Sequence, residues 1–335
     1  MSVTAALPVD LARIEAAAVR LAGRARRTPL LNAPGLDRIA GRQVLVKAEC
    51  LQHTGSFKYR GAWAALSALP ADIRGVIACS SGNHAQAVAR AARQSGRHAL
   101  IVMPQDAPRI KIAHTRAHGA EIVFHDRATQ DRDALAASLA QERGWALIPP
   151  FDHADVIAGQ GSVGLEIAAQ AQALGVDEAQ VLVCCGGGGL ASGIALALAA
   201  HAPGMRVHTV EPEGFDDVAQ SLAQGRIVRL PQRTGFCDAI VTPAPGNMTW
   251  PILRAHCGPG LAVSDAQVLA AMALAFEHLK LVVEPGGAVA LAAALFHGDR
   301  IATETVIVTA SGGNVDRAVF ARALREGAPD ADCGA

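Results

Sequence analysis

Only four of the 30 cationic side chains are lysines: Lys47, Lys58, Lys111 and Lys280. The arginines can serve solvated surfaces, but a guanidinium stays protonated and cannot form a Schiff base. Each lysine is therefore a candidate for amine chemistry. Lys58 lies in Gly55-Ser56-Phe57-Lys58-Tyr59-Arg60-Gly61-Ala62, among small residues and at the start of a helical stretch. The positive end of a helix dipole disfavours an ammonium, which raises the share of free amine that an aldehyde needs. A solvated lysine near a helix end is the plainer alternative.

Three glycine turns offer the complementary chemistry: SSGNH at 80–84, GGGG at 186–189 and SGGN at 311–314. Gly186, Gly187, Gly188 and Gly189 follow an apolar run and precede a helical stretch. Free amides at such a turn suit a phosphate. Gly186, Gly188 and Ala191 also satisfy a loose G-x-G-x-x-A, and Glu211 falls where a dinucleotide fold places its ribose acid. A Rossmann oxidoreductase is thus a rival reading. No GK[ST] loop, H-E-x-x-H or G-x-S-x-G is present.

These turns need strands and helices to converge. Apolar runs predict strands at Val44–Ala48, Gly75–Ala78, Ala99–Met103, Glu121–Phe124, Val181–Cys184, Arg206–Val210 and Thr305–Thr309. Between them, Ala-rich stretches predict helices, among them Leu11–Ala22, Tyr59–Leu66, His84–Gln94, Ile110–His118, Gly161–Leu174, Ala191–Ala200, Asp265–Leu279 and Ala288–Phe296. Repeated alternation implies an α/β fold with parallel sheets, whose ligands bind at the C-terminal ends of strands.

Composition bounds the function. Of 335 residues, 51% are hydrophobic and 18% charged, a packed globular balance. Thirty cations match 30 anions, so nothing favours nucleic acid as a partner. The stretch Val181–Ala200 is apolar enough to suggest a membrane span, but its glycine run would break the helix. The first residues lack a cationic start, so a secretory signal is not expected. Seven cysteines form no C-x-x-C pair. Reduced thiols and a cytoplasmic location follow as expectations.

HTGSFKYRGA, CSSGNHAQA, PPFDHADVIAGQGSVGLEI, CGGGGL, VEPEGFDD, VEPGGA and SGGN occur in this order between Thr28 and Asp316. In this the chain resembles the fold-type II pyridoxal-phosphate enzymes of the serine/threonine dehydratase, serine racemase and 3-hydroxyaspartate dehydratase kind. The resemblance implies a two-domain, tryptophan synthase beta-like fold. Residues 1–70 and 150–328 would form a large cofactor-binding domain, 71–149 a small one, and 329–335 a disordered tail.

It also implies roles. Lys58 matches the lysine that holds pyridoxal 5'-phosphate covalently, with Phe57 beside it. Asn83 matches the residue at the cofactor's ring oxygen, Gly186 to Gly189 the phosphate loop, and Ser311 the hydroxyl facing the pyridine nitrogen. Glu284 matches an acid near the ring. Ser80, Ser81, His84 and Asp152 fall on substrate-binding positions, and Ser81 also on the second acid/base of the racemases. Arg132 aligns with an arginine that bonds a distal substrate group; a second carboxylate there would favour 3-hydroxyaspartate. Glu211, the Phe215 carbonyl and Asp217 resemble a divalent-metal site for Mg²⁺ or Ca²⁺. Cys79 replaces a usual histidine and Ala239 a common glycine. The implied reaction is β-elimination of water from serine, threonine or 3-hydroxyaspartate, with racemisation as the alternative. A small-molecule substrate, no membrane and a homodimer complete the expectation. With only a short helix after Asp316, no feedback-regulatory domain is expected.

Overall fold

A computed structural model describes residues 7–107, 109–126, 128–231 and 233–327. The expected tail at 329–335, and the last residue of the expected large domain, lie outside them. The chain runs α1 (Leu11–Leu21), β1 (Leu30–Asn32), α2 (Pro34–Ala40), β2 (Gln43–Lys47), α3 (Lys58–Ala68), β3 (Gly75–Cys79), α4 (Asn83–Gln94) and β4 (His98–Pro104). It continues through α5 (Arg109–Ala117), β5 (Glu121–His125), α6 (Arg132–Arg143), β6 (Ala146–Leu147), α7 (Ala154–Ala173), β7 (Ala179–Cys184), α8 (Gly189–His201) and β8 (Met205–Pro212). Last come α9 (Asp217–Gln224), α10 (Thr249–His256), β9 (Leu261–Val263), α11 (Asp265–Leu279), α12 (Pro285–Phe296), β10 (Thr305–Thr309) and α13 (Arg317–Glu326).

Two sheets form. The larger has the order β1-β2-β10-β7-β8-β9 and the smaller β5-β4-β3-β6. Every pairing is parallel except β1 with β2. Apart from Gln180, the central strands β7 (AQVLVC) and β10 (TVIVT) are apolar or β-branched, as strands covered on both faces must be. One apolar core packs α11 and α12 on one face of the large sheet. Another packs α7 and α8 on the opposite face. The small sheet has its own cores, one built on the alanines of α4.

The expected strands and helices form, with shifted ends. Strands β1, β6 and β9, of two or three residues, and helices α2, α9 and α10 are too short to have shown a period. The largest error is in α7, which starts at Ala154, not Gly161. Its glycines are packing devices: a Cβ on Gly161 would meet Ile14 at 2.8 Å, and one on Gly164 would meet Ala197 at 2.8 Å. The run at 181–200 resolves into β7, a glycine loop and α8. Among the described residues, no helix is long and apolar enough to cross a membrane.

Candidate active site

Strands β3, β7 and β10 end at Cys79, Cys184 and Thr309, so their glycine turns emerge at the C-terminal strand ends. Between the two sheets lies a cavity of roughly 230 Å³, lined by Lys58, the 80–84 turn and the 186–189 turn, among others.

Lys58 is the first residue of α3. The turn before it is pinned to the loop after β10. Ser56 bridges Gly312, Phe57 N–H donates to the Ser311 carbonyl at 3.1 Å, and Gly313 N–H donates to the Gly55 carbonyl at 2.9 Å. Two residues further on, the buried Arg60 donates to both Glu49 oxygens, at 2.7 and 2.8 Å, and to Glu166 at 2.7 Å. This anchors α3 to α7. Breaking such a buried pair costs about 3–5 kcal/mol, so the helix that carries Lys58 is held firmly.

The Lys58 side chain is partly accessible through the cavity, but its amine lies deep and donates to the Pro150 carbonyl at 2.7 Å. Burial lowers its pKa to about 8, and the Glu284 carboxyl partly opposes that shift. Burial thus favours the same free amine that the helix start predicts.

The 186–189 loop could not carry side chains. Gly188 has φ of +90°, a conformation that favours glycine. A Cβ on Gly187 would run into the Phe151 ring, and one on Gly189 would come within 3.0 Å of Phe151 Cβ. Thr249 Oγ1 holds the loop by donating to the Gly187 carbonyl at 2.7 Å. The loop opens directly into the N-terminus of α8, where unpaired helix amides favour an anion. The 80–84 turn repeats this arrangement at α4. Gly82 N–H donates to Ser80 Oγ at 3.1 Å, and Ser81 faces the cavity. His84 bonds the Ile148 carbonyl through Nε2 at 2.7 Å. Burial, with the Lys58 charge, pushes its pKa down to about 3, so it stays neutral and Nε2 is the donor.

Asn83 ties the turns together. Its amide donates to Glu284 Oε1 at 2.5 Å and its carbonyl accepts from Asn314 at 2.7 Å. Glu284 precedes α12, and burial raises its pKa to about 7. Ser311 is buried just behind the cavity, not in its wall. Asp152 is outside the wall too: its two oxygens accept the amides of Asn247, at 2.9 Å, and Met248, at 2.7 Å. Arg132 reaches the cavity mouth, half exposed, with Asp133 at 3.5 Å. Cys79 and Ala239 also line the cavity. Two groups that motif reading passed over join them, Lys111 and Asp238, paired at 2.7 Å. The scarcity of lysine was the available signal for Lys111.

Glu211, Phe215 and Asp217 lie apart from this cavity. Glu211 is buried and accepts the amides of Val218 at 3.0 Å and Ala219 at 2.7 Å, capping the start of α9. That removes it as a ribose acid and corrects the Rossmann alternative. Both Asp217 oxygens are buried without a hydrogen-bond partner. Burial raises the Asp217 pKa to about 7. Among the described residues, no group of three or more His, Cys, Asp or Glu side chains is gathered for a metal.

A buried amine of lowered pKa that shares a cavity with an anion cradle is suited to a phosphorylated aldehyde. The model of the pyridoxal-phosphate dependent enzyme family matches residues 21–312. The chain belongs to that family. Among similar proteins, an L-threo-3-hydroxyaspartate ammonia-lyase from Pseudomonas sp is 44% identical over 316 residues, 92% of this chain and 96% of its own. A serine racemase from Oryza sativa subsp. indica is 37% identical over 322 residues, 94% of each chain. The crystal structure of a threonine deaminase from T.th. superimposes with a TM-score of 0.87 at 47% identity, covering 92% of this chain and 99% of that one. The cofactor of the family is pyridoxal phosphate, and the cavity fits it: Lys58 and the Phe151-packed glycine cradle both line it.

Proposed function

We propose that this enzyme is an ammonia-lyase that removes water from a β-hydroxy amino acid and releases a 2-oxo acid and ammonia. Of serine, threonine and 3-hydroxyaspartate, the last is the favoured substrate. The observation that carries the choice is Arg132 at the mouth of the cavity, where it can meet a second carboxylate. The 44% identity to a hydroxyaspartate ammonia-lyase supports the same choice.

In this reading Lys58 holds the cofactor, Gly186–Gly189 with α8 take its phosphate, and Phe57, Asn83, Glu284 and Ser311 surround its ring. Bound pyridoxal phosphate supplies an aldehyde that captures amines and a ring that draws electrons from the bonds at Cα. The protein supplies orientation and proton transfer. The amides of the 80–84 turn, with Ser80, Ser81 and His84, hold the substrate α-carboxylate. Asp152 acts at one remove, shaping the 246–249 turn that braces Gly187. The Lys58 amine, set free when substrate binds, takes the Cα proton. Its lowered pKa suits a base working near neutrality. The β-hydroxyl departs as water with the proton that Lys58 took, and hydrolysis of the resulting enamine releases the 2-oxo acid and ammonia.

Ser81 on the cavity wall favours racemisation as a second reading, since a hydroxyl there can return a proton to Cα. A divalent cation, Mg²⁺ or Ca²⁺, held by Asp217, Glu211 and the Phe215 carbonyl belongs to the proposal as well. Its support is the orphaned Asp217 carboxylate. The domain division at 70/71 and 149/150, a homodimer and a cytoplasmic location complete the reading. The separate sheets support the first, and the six cysteines among the described residues, all free thiols, support the last.

The test is an absorbance spectrum with and without borohydride for the wild type and Lys58→Ala, followed by ammonia release from the three substrates. A near-visible band that borohydride removes and Lys58→Ala lacks is expected, with fastest release from a 3-hydroxyaspartate isomer. Release from none of the three would refute the activity.

A further inference from the structure

Lys111 and Asp238 reach the cavity from opposite sides. Lys111 is on α5, in the part of the chain that builds the small sheet; Asp238 is in the loop between α9 and α10, which belongs with the large sheet. Lys111 Nζ donates to Asp238 Oδ2 at 2.7 Å, and both residues line the cavity. The two ends of this pair differ. The Lys111 side chain is 24% exposed and that of Asp238 59%. Separation would return Asp238 to water at little cost, whereas Lys111 would keep facing the cavity and need another anion. Arg132 also lines the cavity and pairs with its exposed neighbour Asp133 at 3.5 Å, with both side chains more than half exposed.

We propose that Asp238 occupies the place of a ligand carboxylate, and that Lys111 exchanges it for the distal carboxylate of a dicarboxylic substrate. This deepens the hydroxyaspartate reading and rests on it. Lys111 then acts with Arg132 as a specificity-determining residue. The exchange makes occupancy of the mouth depend on substrate charge: a monocarboxylic amino acid leaves Lys111 with Asp238, and a dicarboxylic one takes it. No bond is made or broken beyond the ion pairs.

The experiment measures dissociation constants of L-aspartate and L-alanine, which lack the departing hydroxyl, by titrating the absorbance of the holoenzyme. Wild type, Lys111→Met and Asp238→Asn are compared, each first checked for its borohydride-sensitive band. The wild type is expected to prefer aspartate. In Lys111→Met that preference falls at least tenfold. In Asp238→Asn the affinity for aspartate rises a few fold, because its internal competitor is gone. A preference kept within twofold in Lys111→Met overturns the proposal. So does a loss of aspartate affinity in Asp238→Asn matching that in Lys111→Met, since the pair would then merely hold the two sides together. A wild type with no preference for aspartate fails instead at the substrate reading on which the proposal rests.

Discussion

Replacing Lys58 by methionine should stabilise the cofactor-free protein while abolishing cofactor capture. The amine is lowered from the ordinary 10.5 to about 8, chiefly by burial. Keeping it protonated in the folded state at pH 7 thus costs about 3 kcal/mol. Cavity water reaches part of the side chain and trims that figure, and the lost bond to the Pro150 carbonyl is replaced by water in the same cavity. A net gain of about 2 kcal/mol is expected for Lys58→Met. Its pH dependence carries the stricter test. Below pH 8 the lysine is charged in both folded and unfolded chains, and the penalty is full. Between pH 8 and 10.5 the unfolded chain binds more protons, so wild-type stability climbs toward that of the variant. Above 10.5 the difference vanishes. Urea unfolding of both apoproteins at pH 7 and pH 9.5 measures it. The same pKa leaves about a fifth of the amine neutral at pH 7.4, against roughly one part in a thousand for an ordinary lysine. Cofactor capture by the wild-type apoprotein should therefore accelerate with pH and level off above about 8. A variant no more stable than wild type at pH 7, or a gain that does not shrink with pH, would refute the argument.

Three further outcomes follow from the geometry. Gly187→Ala forces a methyl against the Phe151 ring, an overpacking worth about 1–3 kcal/mol; equilibrium dialysis should find pyridoxal phosphate held ten- to a hundredfold more weakly, and unchanged affinity would remove the loop from the phosphate site. Ser81→Ala should weaken elimination only through a raised KM, since one of several carboxylate contacts is lost, but should abolish exchange between substrate enantiomers, read by chiral chromatography; equal loss of both would make Ser81 a carboxylate contact alone. Chelation with EDTA should lower the melting temperature and added Mg²⁺ or Ca²⁺ restore it, while Asp217→Asn should be insensitive to both; a wild type indifferent to EDTA argues against the cation.

What was legible in the sequence was whatever depended on periodicity or local backbone demand. The runs at 181–184 and 305–309 became central strands because unbroken apolar stretches need cover on both faces. The 186–189 turn was visible because glycine tolerates a φ of +90° and because nothing larger fits beside Phe151. Phe151 itself was not visible as the wall of that cradle, for nothing local marks an aromatic ring whose partner is 36 positions away. Helix α7 was begun at Gly161 instead of Ala154, because its first turns hold Gly159, whose close packing against Ala64 is a tertiary property that no local pattern shows. The site shows the same division. Lys58 was singled out by its type and its helix start, which are local properties, whereas the burial that lowers its pKa is a tertiary one. Asp152 and Ser311 fell on motif positions, yet their places just outside the cavity wall depend on loops at 246–249 and 55–57 that no spacing reveals. Lys111 and Asp238 are 127 residues apart and belong to no common motif. Backbone chemistry is written locally and can be read; the pairing of charges across a cavity is settled only when two sheets meet.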